Sequence, residues 1–302
     1  TKKTTQVDNP RHLILQGHMD MVCMKDEDSD HDFSTDPIET EVESGWLTAI
    51  GTTLGADNGI GVAMGLAALE EDLPATISVL VTRTEETGMD GAIGLDSSFL
   101  SGDGLINLDS DEEGFVTVGC AGGTTALMTL PLVREDNSEF YHCLELKLSN
   151  LKGGHSGMEI HNVRGNAIKA MADLLREIDG ETPINIHDFS SGTKHNAIPH
   201  EAKAVISFAE DAEHLILQTV EDAKKKILPA LLKTEPDVTL TWTNVSSDKQ
   251  PLAKTSKTKL FSLIGLLPHG VYSMNPDKKG VEASDNLEII GLKEDNAEFH
   301  LS

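Results

Sequence analysis

The sequence predicts an α/β domain with a mostly parallel sheet, followed by an α+β domain from about residue 120. In residues 1–119, short apolar runs end at His or acidic residues and alternate with helical segments. This order is typical of parallel sheets, whose ligands gather beyond the carboxyl ends of the strands. In residues 120–302, several segments alternate between apolar and polar side chains, as half-exposed antiparallel strands do. We therefore expect two domains, 1–119 and 120–302, and 302 residues are enough for both.

Along the first domain we predict a strand, a loop with a hairpin, a helix and two further strands. The first strand contains the apolar run 13–15, and the hairpin is expected around 44–46, where Ser-Gly precedes Trp. The helix is expected over the alanine-rich stretch 59–71, and buried strands are expected over 75–81 and 105–109.

The second domain is predicted to combine antiparallel strands with helices on one face. Strands are expected at 124–132, 143–148, 202–208, 238–245, 286–292 and 298–301, and helices at 164–178, 214–232 and 260–267.

Composition argues against two classes of partner and favours one compartment. The 24 basic and 50 acidic residues give a formal charge of −26, so a basic face for nucleic acid is not expected. No apolar run approaches the roughly 20 residues of a membrane span. The odd count of three cysteines (Cys23, Cys120 and Cys143) fits a reducing compartment, so we expect a cytoplasmic location. The start, TKKTT, has no signal-peptide pattern, and because the first strand follows so soon we expect this sequence to be part of a longer chain.

A His and an Asp follow the first strand two residues apart. In an extended chain residues i and i+2 point to the same face, so His18 and Asp20 can aim the same way. A carboxylate in that position can hold the imidazole in one tautomer, as it does behind many metal-bound histidines. A structural His at a strand end is the alternative.

Three more acidic positions follow strands or precede a helix. Asp57 stands among glycines just before the predicted helix, where it is either a helix cap or a ligand. The adjacent Glu85 and Glu86 follow a strand; they are either solvated or arranged so that one binds a cation and the other carries a proton. Asp109 ends another strand. The glycines around Asp57 lack the Lys-Ser/Thr of a phosphate-binding loop, which makes nucleotide binding a distant alternative.

Together these side chains supply one imidazole and several carboxylates, the donor set that suits zinc, manganese or cobalt. A carboxylate can bridge two cations, and a two-metal site activates water and stabilises a developing oxyanion. A neighbouring carboxylate that does not bind metal can serve as a general base.

The strings QGHMD (16–20), GADNG (55–59), TEETG (84–88) and NLDS (107–110) resemble, in this order, the motifs of the dinuclear zinc metallopeptidase family of carnosinases, aminoacylases and glutamate carboxypeptidases. The longer string at 51–61 and GGHSG at 153–157 are most similar to its aminoacyl-histidine dipeptidase branch.

The resemblance implies a role for each matched residue. His18 and Asp109 would bind one metal, Glu86 the second, and Asp57 both. Asp20 would orient His18. Glu85 would take a proton from the attacking water and later deliver it to the leaving amine. The resemblance implies two divalent cations as cofactors, zinc first, with manganese or cobalt as the alternatives.

The second domain then corresponds to the lid that mediates homodimerisation in many members. His155 would help to polarise the scissile carbonyl, and Asn196 would contact substrate; as bare sequence, each is equally typical of a loop or turn. Arg164 would cap or anchor its helix.

Members of the family carry one further metal-binding His in a later segment, and this sequence has no match for it. His269 lies in lid-like sequence and is a poor candidate, so the second metal site is expected to be incomplete in this chain. The expected activity is metal-dependent hydrolysis of dipeptides, including Xaa-His dipeptides. The alternatives are an N-acyl amino acid amidohydrolase of the same family and a catalytically incomplete fragment.

Overall fold

The computed structural model describes residues 1–26, 28–110, 114–136, 142–192, 194–209, 212–276 and 280–302. The chain divides into two compact units, Thr1–Val118 and Gly119–Ser302. Among the described residues, no helix combines the length and apolar character needed to cross a membrane.

The first unit contains a three-stranded parallel sheet with one long helix. Its elements are β1 His12–His18, β2 Thr40–Glu43, β3 Trp46–Ala49, α1 Ala56–Glu70, β4 Thr76–Thr82, α2 Asp90–Ile93 and β5 Gly104–Asn107. The strand order is β4-β1-β5, and both pairings are parallel, so the predicted α/β class is confirmed.

The register of this sheet brings its strand ends together. His18, the last residue of β1, pairs with Thr82 at the end of β4, and Gln16 of β1 pairs with Asn107 at the end of β5. Residues that follow these strands therefore leave the sheet at one edge, where ligands of parallel sheets are bound.

The predicted hairpin is confirmed. β2 and β3 pair antiparallel, with Glu43 opposite Trp46. Ser44 and Gly45 between them both have positive φ, 53° and 88°, as a tight two-residue turn of this handedness requires.

The second unit is an α+β unit built on a seven-stranded antiparallel sheet. Its elements are β6 Ala126–Pro131, β7 His142–Ser149, β8 Gly154–His155, α3 Ala167–Glu181, β9 Asn185–Ser191, β10 Ala197–Ile198, β11 Ala202–Phe208, α4 Glu213–Leu231, β12 Thr239–Val245, α5 Lys254–Leu266, β13 Gly270–Met274, β14 Val281–Asp285, β15 Leu287–Leu292 and β16 Asn296–Leu301. The order in the large sheet is β12-β7-β11-β9-β15-β16-β6.

Helix α3 joins the sheet to the other two helices. Ile168, Met171, Leu175 and Ile178 have no exposed surface, and their spacing puts them on one helical face. The helix contacts β7, β9, β11 and β15 as well as α4 and α5. Asn166 caps it by accepting hydrogen bonds from the amides of two first-turn residues.

The sequence did not predict β9, although it lies in the middle of the sheet. Its residues, NIHDFSS, are mostly polar, but His187 and Ser191 are buried because the fold supplies hydrogen-bond partners. Helix α5 begins at Lys254, earlier than predicted. The prediction missed this start because the first half of the helix is rich in Lys, Ser and Thr and shows no apolar pattern. The misses at β9 and α5 arise where polar side chains occur inside regular structure. The short strands β8, β10, β13 and β14 were not predicted either.

Candidate active site

The imidazole of His18 lies at the centre of an acidic cluster in the first unit. Its side chain is 1% exposed, and Nδ1 lies 2.9 Å from the carbonyl oxygen of Asp20. Nε2 lies 3.0 Å from Oδ1 of Asp57 and 3.7 Å from Oδ2 of Asp109. If Nδ1–H donates to the Asp20 carbonyl, a neutral His18 directs its Nε2 lone pair at carboxylate oxygens. A proton or a cation must then lie between them.

Asp20 connects the ends of β1 and β4. Its carboxylate accepts hydrogen bonds from the amides of Glu85, at 3.2 Å, and Glu86, at 3.1 Å. Burial alone would raise the pKa of Asp20, but these amide hydrogen bonds lower it below its usual value. Asp20 thus contacts His18 most closely through its carbonyl, while its carboxylate fixes the turn that carries the two glutamates.

Asp57 is not a side-chain helix cap. The residue that precedes α1 is Gly55, in the left-handed region at φ 74°, and no side chain caps this end. Asp57 and Asn58 have non-helical backbone angles, and a cis peptide bond joins them. Oδ1 of Asp57 lies 3.0 Å from Nε2 of His18, and the Asp57 side chain is 74% exposed.

Asn58 is a site residue that the sequence analysis missed. It is 3% exposed; its Oδ1 accepts from the amide of His18 at 3.3 Å, and its Nδ2 donates to the carbonyl of Leu108 at 3.0 Å. A Cβ atom on Gly17 or Gly61 would lie 2.3 or 2.5 Å from Asn58 Oδ1. Gly17 and Gly61 therefore leave room for the Asn58 side chain. The glycines beside the His and Asp motifs were the sequence signal that could have pointed to Asn58.

The remaining carboxylates converge on the same imidazole. Two groups each offer ligand atoms within 4.8 Å of one another: His18 with Asp57 and Asp109, and His18 with Glu85 and Glu86. Such an arrangement can hold a divalent cation.

The pKa values in this cluster reflect burial and charge crowding. Burial, and then the charges of Asp57 and Glu85, raise the pKa of Glu86. Burial and Asp57 raise the pKa of Asp109. Burial lowers the pKa of His18, but the hydrogen bond with Asp57 and the charge of Asp109 raise it more. Crowded carboxylates around an imidazole are stabilised by bound cations, so the donor set fits the metal ions that the motifs imply.

In the second unit, His155 and Asn196 lie on neighbouring segments. β8 and β10 pair antiparallel, with His155 opposite Ala197. The amide of Ser156 donates to the carbonyl of Asn196 at 2.8 Å. The structure thus brings these two predicted substrate residues together.

The loop that follows β8 determines the tautomer of His155. Nδ1 accepts hydrogen bonds from the amides of Gly157, at 3.0 Å, and Met158, at 3.2 Å. The proton of the neutral imidazole is therefore on Nε2, and the His155 side chain is exposed. The Nε2–H group therefore faces solvent, where it can donate a hydrogen bond to a carbonyl oxygen.

Arg164 anchors the same loop. Its guanidinium binds the carboxylate of Glu159 and the carbonyl of Gly153. Glu159 in turn accepts from the amide of His155 at 3.0 Å. Arg164 therefore fixes the backbone on both sides of His155.

His269 occupies a structural position. Its Nδ1 lies 3.2 Å from the side-chain amide of Asn166, and burial lowers its pKa. These contacts place it beside the start of α3, within the second unit.

Comparison with known proteins supports the family resemblance. Residues 146–239 match the family described as a peptidase dimerisation domain. The cytosol non-specific dipeptidase of Escherichia coli (strain K12) is 40% identical over 300 residues, which are 98% of this chain and 62% of that protein. An uncharacterized Bacillus subtilis (strain 168) protein, YqjE, is 27% identical over 249 residues, 78% of this chain and 57% of that protein.

Among solved structures, aminoacylhistidine dipeptidase from Vibrio alginolyticus matches with a TM-score of 0.78 and 37% identity, over 100% of this chain and 62% of that one. The chain therefore contains a segment that matches this dimerisation domain, is similar to the cytosol non-specific and aminoacylhistidine dipeptidases, and spans 62% of the length of each.

Proposed function

We propose that this chain carries the metal centre of a dipeptidase and acts in the hydrolysis of dipeptides, including Xaa-His dipeptides. The observation that carries the proposal is the convergence of Asp57 and Asp109 on Nε2 of the buried His18. The similarity to a cytosol non-specific dipeptidase and an aminoacylhistidine dipeptidase supports the substrate class.

We assign the metal ligands as the sequence motifs imply. His18 and Asp109 would hold one divalent cation, Glu86 would hold a second, and Asp57 would contribute to both; zinc suits this donor set, and manganese or cobalt would also fit. When bound, such cations make water more acidic and stabilise the charge that develops on the scissile carbonyl.

The chain's own groups then move the proton and position the peptide. Glu85 takes a proton from the attacking water and delivers it to the leaving amine. Asp20 supports it, because the Asp20 carboxylate accepts from the Glu85 amide. His155 donates from Nε2–H to the carbonyl oxygen, and Asn196 contacts the substrate.

The two units have separate roles in this proposal. Residues 1–119 form the catalytic, metal-binding domain, and residues 120–302 form a lid that mediates homodimerisation, as the match at 146–239 supports. A cytoplasmic location is also proposed, supported by the name of the Escherichia coli relative and by three free thiols, Cys23, Cys120 and Cys143.

A substrate panel tests the proposal. The purified chain is incubated with zinc or manganese and with Ala-Ala, β-Ala-His, Gly-His and matched N-acetyl amino acids, and amine release is measured. We expect metal-dependent release from the dipeptides, lost on chelation and in Glu85→Gln. Glu70→Gln, at the exposed end of α1, is the matched control and should retain activity.

Two results would overturn the dipeptidase proposal. Release from the N-acetyl amino acids alone would assign the chain as an amidohydrolase. Metal binding by direct titration with no hydrolysis of either class would make it a catalytically incomplete chain.

A further inference from the structure

We infer that Glu288 is a positioning residue for the loop that carries Asn196. Its buried carboxylate holds the backbone of Asn196 and, through it, that of His155. This inference rests on the proposed function, in which Asn196 and His155 contact the peptide. Glu288 lies in β15, and no sequence motif pointed to it.

The carboxylate of Glu288 is buried, and only one of its two oxygens has hydrogen-bond partners among the described residues. The residue is 0% exposed. Its Oε1 accepts hydrogen bonds from the amide of Asn196, at 2.9 Å, and from the hydroxyl of Ser302. Among the described residues its Oε2 has no hydrogen-bond partner. Burial of a carboxylate is costly, so the fold bears a cost here to hold a loop amide.

A second buried glutamate in the same unit shows the contrast. Glu235 is also 0% exposed, but both of its oxygens accept from amides at 2.7 Å, those of Gly165 and Lys152. Both oxygens of Glu235 therefore have hydrogen-bond partners, as is expected of a purely structural carboxylate. In Glu288 only Oε1 has partners among the described residues, and its backbone partner is Asn196, the residue predicted to contact substrate.

The backbone of Asn196 requires such support. Its φ of 70° lies in the left-handed region, which residues other than glycine adopt at a cost, although Asn tolerates it better than most. A hydrogen bond from an amide to a carboxylate is stronger than one to a neutral acceptor. Glu288 therefore stabilises an otherwise unfavourable conformation at the residue proposed to contact substrate.

The other side of the loop rests on the same strand. Gly192 has a φ of 78°, and a Cβ atom there would lie 1.9 Å from the carbonyl oxygen of Glu288. Asn286 donates from Nδ2 to the carbonyl of Ala197 at 2.9 Å. Glu288 in β15 and Asn286 just before this strand thus approach the chain on both sides of Asn196.

Asn196 itself connects Glu288 to the segment that carries His155. The carbonyl of Asn196 accepts from the amide of Ser156, and Ala197 pairs with His155. A shift of the Asn196 backbone would therefore move the segment whose amides fix the His155 ring. One buried carboxylate sets the position of both groups.

Hydrogen exchange tests the positioning without any need for activity. We expect Glu288→Ala to speed exchange of the Asn196 and Ser156 amides about tenfold, the factor that corresponds to one lost hydrogen bond to a charged group. Glu288→Gln, which keeps an acceptor oxygen, should restore most of the protection. Asp179→Ala is the control, because Asp179 also accepts from a backbone amide, that of Ile184, but at the far end of α3.

Kinetics with the metal-loaded chain test the consequence for the reaction. Glu288→Ala should lower kcat/KM about tenfold or more with metal content unchanged, and Glu288→Gln should recover most of it. Asp179→Ala should lower Tm but leave kcat and KM as they are. Unchanged exchange or unchanged kcat/KM in Glu288→Ala, or equal defects in the Ala and Gln variants, would overturn the inference. A parent chain without dipeptide hydrolysis would instead overturn the proposed function, while the exchange result still decides whether Glu288 holds the loop.

Discussion

Nε2 of His18 lies 3.0 Å from Oδ1 of Asp57, although the two residues come from a strand end and a helix start that are 39 positions apart. The contact joins the carboxyl end of a parallel strand to the amino end of the helix that packs on it. Because Nδ1 of His18 faces a carbonyl oxygen, the Nε2–Asp57 side is the one that can bind a cation.

Asn58→Ala should weaken the metal centre without removing a metal ligand. The change leaves the carbonyl of the half-buried Leu108 without its partner and opens space beside Gly17 and Gly61, so the free energy of unfolding should fall by about 1–3 kcal/mol. Zinc affinity, measured by competition with a chelating dye, should fall about 10–100-fold, as it does when groups behind metal ligands are lost. An exposed amide replacement, Asn9→Ala, is the control; equal zinc affinity in both variants would contradict the role of Asn58.

The adjacent glutamates should respond differently to the same change. Glu85→Gln should lower kcat by about 10²–10⁴ and leave the bound metal unchanged, because it removes a proton acceptor. Glu86→Gln should reduce the metal content itself. Metal analysis after dialysis, together with initial rates, separates the two effects, and a loss of metal in Glu85→Gln with retention in Glu86→Gln would reverse the assignment.

The Nε2–H of His155 should matter as a hydrogen-bond donor. His155→Phe keeps a planar ring but removes the donor, so kcat should fall about 10²–10³-fold if the group stabilises negative charge on the carbonyl oxygen. His161, which lies in the nearby 3-10 turn Ile160–Asn162, provides the control as His161→Phe. Rates for the two variants at matched metal content should differ by at least about tenfold, and similar rates would argue against a role for His155.

Acid should destabilise the second unit through His187. Its Nδ1 faces the carbonyl of Lys249 at 2.6 Å and its Nε2 faces the hydroxyl of Ser207 at 2.8 Å, so both nitrogens are engaged in the neutral ring. Burial lowers its pKa below the ordinary 6.5, despite the hydrogen bond to Lys249. Below about pH 6.5 the unfolded chain therefore binds the proton first, and stability falls as the pH drops towards the folded-state pKa.

Urea unfolding at about pH 7.5 and 5.5 tests this dependence. The wild-type free energy of unfolding should decrease with a contribution of at most about 1.4 kcal/mol per pH unit from this proton, and His187→Gln should lose that contribution. Other groups, including His269, titrate in both proteins and cancel in the difference. Parallel pH profiles for the two proteins would exclude His187 as the source.

The sequence predicted most elements because strand and helix periodicity are local properties. Strand β11 (Ala202–Phe208) has the predicted bounds, and helix α4 (Glu213–Leu231) differs from its predicted bounds by one residue at each end. The prediction failed for β9, where buried His187 and Ser191 break the apolar pattern, because only the assembled sheet supplies their hydrogen-bond partners.

By itself the sequence determined which acidic and His side chains stand at strand and helix ends, and hence that they could meet; their metal and catalytic roles stay predictions. Only the tertiary structure decided which atoms face one another. It gave the carbonyl of Asp20, rather than its carboxylate, the closest contact with His18, and it placed Asn58 between strands and Glu288 beneath Asn196. The physical reason is that a hydrogen bond between distant segments depends on register, rotamer and burial, and these are set only when the sheet and its helices pack together.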